Sequence, residues 1–115
     1  MIAVIFEVVP DPEGKQEYFD TAAVLRQELE GIDGFISVER FRSLTNETKY
    51  LSLSFWRDEE AIRAWRGVAE HRAAQARGRA ALFTDYRLRV ASVIRDYGLA
   101  DREQAPPDSR RANDQ

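Results

Sequence analysis

The sequence predicts an α+β protein of the ferredoxin-like type, in which a four-stranded antiparallel sheet carries both helices on one face. Three observations indicate this class. Runs rich in β-branched and aromatic residues alternate with segments of helical periodicity, in the order strand, helix, strand, strand, helix, strand. Right-handed crossovers bring the two helices to the same side of such a sheet. A chain of 115 residues is long enough for one domain with one core.

The first strand and the first helix are separated by two prolines. The run from Ile2 to Val9 is β-branched and aromatic, and Pro10-Asp11-Pro12 ends it. A helix is expected to start at Asp11 or Pro12 and to continue to about Glu30. Gly31 is typical of the residue that follows a helix. The apolar stripe of this helix consists of Tyr18, Ala22, Leu25 and Leu29.

Two strands joined by a short polar turn follow, which predicts a β-hairpin. In "GFISVERFRS", simple alternation separates Phe35, Ser37, Glu39 and Phe41 from Ile36, Val38 and Arg40. The turn is expected at residues 45–48, whose side chains are typical of turns. In "KYLSLSFW", Leu51, Leu53 and Phe55 point to one side, and Tyr50, Ser52, Ser54 and Trp56 point to the other.

The second helix begins in an acidic segment, with Asp58 as its predicted N-cap. We expect Gly67 to bend or interrupt this helix, and a second helical piece to carry His71 to about Ala81. The last strand lies in "DYRLRVASVIRDYG". Residues 1–98 therefore form the predicted domain. Residues 99–115 are expected to be a disordered C-terminal tail, because they contain two adjacent prolines, scattered charges and few apolar residues.

The composition excludes several classes of function. The formal net charge is −3, which argues against a nucleic-acid partner. The absence of cysteine excludes disulfides and thiolate nucleophiles, and a single histidine excludes metal sites that need two, so no metal site is predicted. The first residues, "MIAVIFEVVP", show no basic leader and are too short to span a bilayer. We therefore expect a cytoplasmic protein with no membrane partner.

The two faces of the first strand predict a homodimer. Ile2, Val4, Phe6 and Val8 point to one side, and Ala3, Ile5 and Val9 to the other, so both faces need cover. The helices cover one face. A second copy, related by a two-fold axis, is the simplest cover for the other face, and the two sheets would then close into a dimeric α+β barrel.

The candidate catalytic residues lie in "AWRGVAEHRAAQARGR". His71 is the only side chain whose ordinary pKa lies near neutrality, which suits a general base; the alternative is a helical histidine that bonds a neighbour. Trp65 either stacks on a flat substrate or is a core aromatic. Gln75 and Arg79 follow His71 at steps of four, and Arg79 either holds a phenolate or carboxylate or is solvated.

The candidate substrate-binding residues lie on the third predicted strand. Trp56, with Tyr50, Ser52 and Ser54 on the same face, forms an apolar wall with a few hydroxyl groups. Such a wall suits a small aromatic ligand in a cavity. The same face also suits packing of one sheet on the sheet of a second copy, and the sequence leaves both interpretations open.

Two segments carry a resemblance to a known family, namely "LSLSFWRDEEAIRAWRGVAEHRAAQARGR" and "FTDYRLRVASVIRDYG". Residues 2–98 resemble the antibiotic biosynthesis monooxygenase (ABM) domain family of the dimeric α+β barrel superfamily. The resemblance implies a monooxygenase that oxidises an aromatic or quinol substrate with dioxygen, without metal or flavin. It implies a tryptophan in the helix, matched by Trp65. It also implies a basic residue on the cavity wall, for which Arg87 and Arg89 are the candidates.

Two alternatives accompany this resemblance. One branch of the family degrades haem, for which His71 would be the axial ligand. That branch uses an Asn on the first strand, whereas this strand offers Ala3, Ile5 and Glu7. The second alternative is a dimer that binds a small molecule in the same cavity without catalysis.

Overall fold

The computed structural model describes the backbone of residues 1–76 and 83–113 and the side chains of residues 1–69 and 83–110. The elements are β1 (Ile2–Pro10), α1 (Lys15–Leu29), β2 (Phe35–Arg42), β3 (Tyr50–Trp56), α2 (Glu59–Ala76), β4 (Phe83–Ser92) and α3 (Pro107–Asn113). The four strands form one antiparallel sheet in the order β2-β3-β1-β4. The predicted ferredoxin-like α+β fold is therefore confirmed.

The α1 helix begins at Lys15, later than the predicted start at Asp11 or Pro12. The Asp11 carboxylate accepts a hydrogen bond from the backbone N–H of Glu13 at 2.9 Å, and the Asp11 carbonyl accepts one from the N–H of Gly14 at 3.0 Å. These bonds hold residues 11–14 in a turn, because an Asp side chain competes with the helix for nearby backbone donors.

The α2 helix is continuous through Gly67, so the expectation of two separate helical pieces is wrong. The predicted cap is confirmed, because the Asp58 carboxylate accepts a hydrogen bond from the N–H of Ala61 at 3.0 Å. A glycine inside a helix costs about 1 kcal/mol relative to alanine. A helix that is anchored by a cap and by buried contacts tolerates that cost.

The β2 strand contains a bulge that simple alternation does not reveal. Its register with β3 shifts between Phe35 and Ser37, and the extra residue, Ile36, is 52% exposed. Phe35 therefore lies on the helix side of the sheet, where its ring centroid is 5.2 Å from that of Trp56. The prediction that Phe35 shares a face with Ser37 and Phe41 is wrong for this reason.

The core lies between the two helices and the sheet, at the end where β1 begins. Its buried cluster consists of Val4, Leu29, Trp56, Ala61 and Ile62. These residues come from β1, β3, α1 and α2, so the cluster connects the sheet to both helices. The packing places both helices on the same face of the sheet, as predicted.

The β4 strand ends at Ser92, before the end of the predicted segment. Its partner β1 begins at Ile2, and the N–H of Val93 already bonds the carbonyl of Met1 at 3.0 Å. None of the helices in the described ranges is both long and apolar enough to cross a bilayer.

The segment expected to be a disordered tail includes the short helix α3 in its described part. Within this segment the Arg102 side chain donates to the carbonyl of Gly98 at 3.1 Å and to the hydroxyl of Ser109 at 2.9 Å. The division of the chain into a domain of residues 1–98 and a disordered tail stays a prediction.

Candidate active site

A cavity of about 550 Å³ lies between the sheet and the helices α1 and α2. Two rows of paired residues form its floor, and each row crosses all four strands. One row is Arg40, Ser52, Phe6 and Leu88; the other is Val38, Ser54, Val4 and Val90. The rows arise because directly paired residues of antiparallel strands present their side chains on the same face. A cavity of this size holds a small organic molecule.

The walls of the cavity come from one stripe of each helix. The α1 helix contributes Tyr18, Thr21, Ala22, Leu25, Arg26 and Leu29. The α2 helix contributes Ile62, Trp65, Arg66 and Ala69. Both sets recur at intervals of three and four residues, the spacing that places side chains on one face of a helix. The predicted apolar stripe of α1 therefore serves as a cavity wall as well as part of the core.

Two tryptophans close one end of the cavity. The ring centroids of Trp56 and Trp65 are 5.9 Å apart, and the planes are tilted by 48°. The buried Trp56 indole N–H donates a hydrogen bond to the hydroxyl oxygen of Ser54 at 2.9 Å. This bond satisfies the only polar group of the indole, so the ring is held in a defined orientation.

Aromatic rings in edge-to-face contact form the other end. Phe83 lies 6.0 Å from Phe6 and 5.7 Å from Tyr18, measured between ring centroids, and Tyr86 lies 5.7 Å from Phe6. Burial raises the pKa of Tyr18, and the nearby charge of Arg40 opposes part of that effect. The Tyr18 hydroxyl is therefore protonated at neutral pH and can donate a hydrogen bond.

Positive charge accumulates at the cavity, and no described carboxylate lies beside it. Arg26, Arg40 and Arg66 line it, whereas its lining in the described part of the chain includes no Asp or Glu. Among the described side chains, none of these three arginines lies within 4.0 Å of a carboxylate oxygen. The described cavity is thus an apolar space with a positive rim.

The structure brings together four of the predicted site residues. Trp56, Ser52, Ser54 and Trp65 all line the cavity. The face that carries Trp56 thus borders the cavity and the helices, and the opposite face of β3 is the one left open. Their roles in binding or catalysis stay predictions.

Tyr50 does not join them among the described lining residues, although it shares their face of β3. Its ring centroid lies 5.1 Å from that of Phe19 and 5.5 Å from the Lys15 ammonium group. The start of α1 covers this end of β3, so Tyr50 packs under the helix instead of bordering the cavity.

His71 and Gln75 belong to α2 by their backbone, but their side chains lie outside the described residues, and Arg79 lies outside them entirely. The predicted roles of His71 and Arg79 stay predictions. Among the described residues, no group of three or more His, Asp or Glu side chains is placed to hold a metal ion.

The prediction that Arg87 or Arg89 forms part of the cavity wall is wrong. Both pair with residues of β1 that lie on the open face, namely Glu7 and Ile5. Arg89 forms an ion pair with Glu7, and Lys49 lies 3.2 Å from the same carboxylate. The hydrogen bond from Arg89, followed by that from Lys49, lowers the pKa of Glu7.

Sequence reasoning missed the three arginines of the cavity. Arg40 alternates with Glu39 and Phe41 on β2, so the sequence assigned it to one of two faces without showing which one borders the helices. The usable signal was that Arg40 lies two residues after Val38, so the two side chains point to the same face of the strand and Val38 is apolar. Arg26 and Arg66 offered no comparable signal, because arginine is common on exposed helix surfaces.

Comparison with known proteins adds sequence and structural relatives. The family model for antibiotic biosynthesis monooxygenase matches residues 1–77. A protein of Pyricularia oryzae named jasmonate monooxygenase ABM is 48% identical over 93 residues, which is 81% of this chain. The chain spans 43% of the length of that relative.

The fold similarity extends to solved structures with much lower sequence identity. Rv0793 from Mycobacterium tuberculosis is 18% identical with a TM-score of 0.71, over 84% of this chain and 98% of the other. A mutant of MhuD with two manganese protoporphyrin IX molecules bound per active site is 20% identical with a TM-score of 0.67. That similarity covers 85% of this chain and 99% of the other, and at such identities both structures show the fold alone.

Proposed function

The chain belongs to the antibiotic biosynthesis monooxygenase family, and on that premise we propose that it oxidises a small aromatic or quinol substrate with dioxygen, without metal or flavin. The observation that carries the proposal is the cavity between sheet and helices, which is closed at one end by Trp56 and Trp65. Flat aromatic walls with a few hydroxyl groups suit a flat ring with one or two polar substituents.

The proposed reaction starts with removal of a phenolic proton by His71. The phenolate gives one electron to dioxygen, and the resulting phenoxyl radical and superoxide combine at a ring carbon that carries hydrogen. Loss of water from this peroxide gives a quinone, so one oxygen atom enters the product and the other leaves as water. His71 is assigned as the base because its ordinary pKa suits proton transfer at neutral pH and because α2 also lines the cavity.

The other residues would bind and orient the ring. Trp65 and Trp56 would stack on its faces, and the hydroxyl groups of Ser52 and Ser54 would bond its oxygen substituents. Arg79, predicted from the sequence to hold a phenolate, remains part of this proposal. Removing the phenolate from water strengthens its interaction with the cationic side chains around it.

A second substrate class is favoured by the relative from Pyricularia oryzae. Jasmonate is an alicyclic ketone with a carboxylate, and the arginine-lined apolar cavity suits such a molecule. When a phenol becomes a quinone, the substrate itself supplies all the electrons that reduce dioxygen. Insertion of one oxygen atom into jasmonate does not, so the second oxygen atom needs two electrons from another donor to become water. A test with jasmonate therefore includes a reduced nicotinamide as the electron donor.

We further propose that the protein acts as a homodimer. The face of the sheet opposite the helices carries the half-buried Ile5, Leu51, Leu53 and Phe55 in the described chain. A second copy, related by a two-fold axis, would cover these side chains and close the barrel. The cytoplasmic location expected from the sequence is part of the same proposal.

Haem binding is the alternative. The cavity arginines would bind the propionates of a haem, and His71, whose side chain lies outside the described residues, would bind its iron. On β1, however, the residues that face the cavity are Val4 and Phe6, whereas Ala3, Ile5 and Glu7 lie on the open face. The first strand thus offers no amide group to the cavity, so the described residues give no support to haem degradation.

The decisive experiment is oxygen uptake with 1-naphthol and a naphthohydroquinone, measured for the wild type and for His71→Ala. We expect the wild type to form a quinone and the variant to lose at least about 100-fold in rate, the usual contribution of a general base. Arg63→Ala is the matched control, because Arg63 is an exposed residue of the same helix outside the described cavity lining.

Three outcomes would redirect the proposal. An unchanged rate in His71→Ala would remove His71 from the mechanism. A Soret band on haem addition that is lost in His71→Ala would favour the haem alternative. Binding of the substrates without any oxygen uptake would favour the dimer that binds a small molecule without catalysis.

A further inference from the structure

Arg40 differs from the other cavity arginines in its position on the sheet floor. Arg26 and Arg66 belong to the helix walls, whereas Arg40 belongs to a row that crosses all four strands. Its direct partner in this row is Ser52, and the next residue along the row is Phe6. A cation therefore lies at one end of an otherwise uncharged row.

Two hydroxyl groups accompany the Arg40 guanidinium. Its central carbon lies 5.9 Å from the ring centroid of Tyr18, which holds the planar group against an aromatic surface. Ser52 lines the cavity beside it, and within the described residues its hydroxyl group has no hydrogen-bond partner. Tyr18 lines the same cavity, and its hydroxyl oxygen already interacts with the Arg40 guanidinium, which leaves the O–H to be donated to a ligand.

In the described chain, no carboxylate neutralises the positive charge of Arg40. Two other arginines of the sheet have carboxylate partners: Arg42 lies 3.6 Å from Glu47, and Arg89 pairs with Glu7. Arg40 has no such partner among the described residues. A guanidinium with two parallel N–H groups and adjacent hydroxyl donors is suited to a planar carboxylate, which accepts two hydrogen bonds at once.

We propose that the cavity takes an apolar ring compound that carries one carboxylate, and that Arg40, Ser52 and Tyr18 bind this carboxylate. The inference rests on the proposed function for the identity of the site and adds the residues that bind the carboxylate. Arg40 is exposed, so the carboxylate lies at the mouth of the cavity. The ring then extends over Phe6 and Ser54 towards the two tryptophans.

The test is binding of 6-hydroxy-2-naphthoate and of its methyl ester, measured by calorimetry without turnover under anaerobic conditions. The two probes share the ring and the hydroxyl group and differ in the charge. We expect the wild type to bind the acid about fivefold more tightly than the ester, because the pair of Arg40 with the carboxylate is charge-assisted but open to solvent. In Arg40→Gln this preference is expected to fall to within about twofold, and Arg40→Lys to retain part of it.

Arg42→Gln is the matched control, because Arg42 is on the same strand, is paired with Glu47 and is absent from the described lining of this cavity. It should keep the full preference. Equal binding of acid and ester by the wild type would overturn the proposal. An unchanged preference in a folded Arg40→Gln, checked by circular dichroism, would overturn the assignment of Arg40.

The failure of this inference is distinguishable from the failure of the proposed function. Preference for the acid with no oxygen uptake on any phenol would leave the binding inference standing and reject the monooxygenase. Oxygen uptake with 1-naphthol and equal binding of acid and ester would support the monooxygenase and reject the binding inference.

Discussion

The hydrogen bond between Trp56 and Ser54 shows how a single residue determines the shape of the cavity. The indole N–H of Trp56 is buried and donates to Ser54 at 2.9 Å. Without an acceptor at this position, the indole would keep a buried donor with no partner, which is costly. Ser52, two residues earlier, lines the same cavity without any such bond to a described residue.

Ser54→Ala is therefore expected to destabilise the protein by about 1–3 kcal/mol, the cost of a buried unpaired donor. The measurement is the free energy of unfolding in urea. Ser52→Ala is the matched control and should change it by less than about 0.5 kcal/mol. Equal effects of the two substitutions would show that the Trp56 bond contributes nothing specific.

Glu7 is the second residue whose environment has a measurable consequence. It lies on the open face of the sheet, beside Arg89 and Lys49, and these two cations lower the pKa of its carboxyl group. A carboxyl group whose pKa is lowered by folding stabilises the folded state above its ordinary pKa of 4.5. That stabilisation is lost as the pH falls through the pKa of the folded state.

Glu7→Gln is expected to lower the urea midpoint at pH 7, and the difference from the wild type should disappear well below pH 4.5. Glu47→Gln serves as the control, because Glu47 is 81% exposed and lies 3.6 Å from Arg42. It should have little effect at either pH. A Glu7→Gln effect that is the same at both pH values would contradict this account.

At the scale of elements, the connection between α1 and β2 depends on Gly34. This residue has a φ of 92°, in the region that side chains disfavour. A Cβ atom at this position would lie 2.8 Å from the Cβ of Ala61, at the start of α2. The close approach allows the N–H of Arg57 to donate to the Gly34 carbonyl at 2.8 Å, which joins the two connections on either side of the hairpin.

Gly34→Ala is expected to cost about 2–3 kcal/mol, from the backbone strain and the contact with Ala61. Gly67→Ala is the matched substitution inside α2, where no atom lies within 4 Å of the added Cβ. It should stabilise the protein by about 0.5–1 kcal/mol. The order of the two melting temperatures tests both statements, and a destabilised Gly67→Ala would contradict the continuous helix.

At the scale of the whole molecule, the sheet has two different faces. The face towards the helices carries the cavity and the core, and no helix of the described chain packs on the opposite face. Half-buried side chains on the uncovered face, such as Leu53, have apolar neighbours and the Glu7 charge cluster beside them. An exposed apolar patch of this kind is typical of an interface between proteins.

Leu53→Arg is therefore expected to convert the proposed dimer into a monomer, because it places an unpaired charge in the covered face. Light scattering should give twice the 13.2 kDa chain mass for the wild type and the single mass for the variant. Val24→Arg is the control, since Val24 is 42% exposed on α1, and it should leave the mass unchanged. A wild type that is monomeric would reject the dimer itself.

Much of the architecture was predictable from local patterns. The order of the elements along the chain, the cap at Asp58 and the stripe from Tyr18 to Leu29 follow from periodicity and side-chain chemistry within a few residues. The bulge at Ile36 and the unbroken α2 were not predictable in this way. The bulge depends on pairing with β3, and the helix gains stability from tertiary contacts that override the local cost of Gly67.

The candidate site was predictable in part. Alternation on β3 separates Ser52, Ser54 and Trp56 from Leu51, Leu53 and Phe55, and this grouping is local information. Which group borders a cavity depends on where two helices pack, and helix placement depends on residues far away in the chain. The neighbours of Arg40, namely Tyr18 and Ser52, come from α1 and β3 and meet it only in the folded chain.

By itself, the sequence determined the order of the elements, the two-sided character of each strand and the resemblance to a monooxygenase family. Only the tertiary structure decided which face holds the cavity, that Tyr50 packs under α1 instead of lining it, and that arginines from three elements surround one apolar space. The physical reason is the range of the interactions. Periodicity and caps act over a few residues, whereas sheet register and helix packing join residues that are distant in the chain.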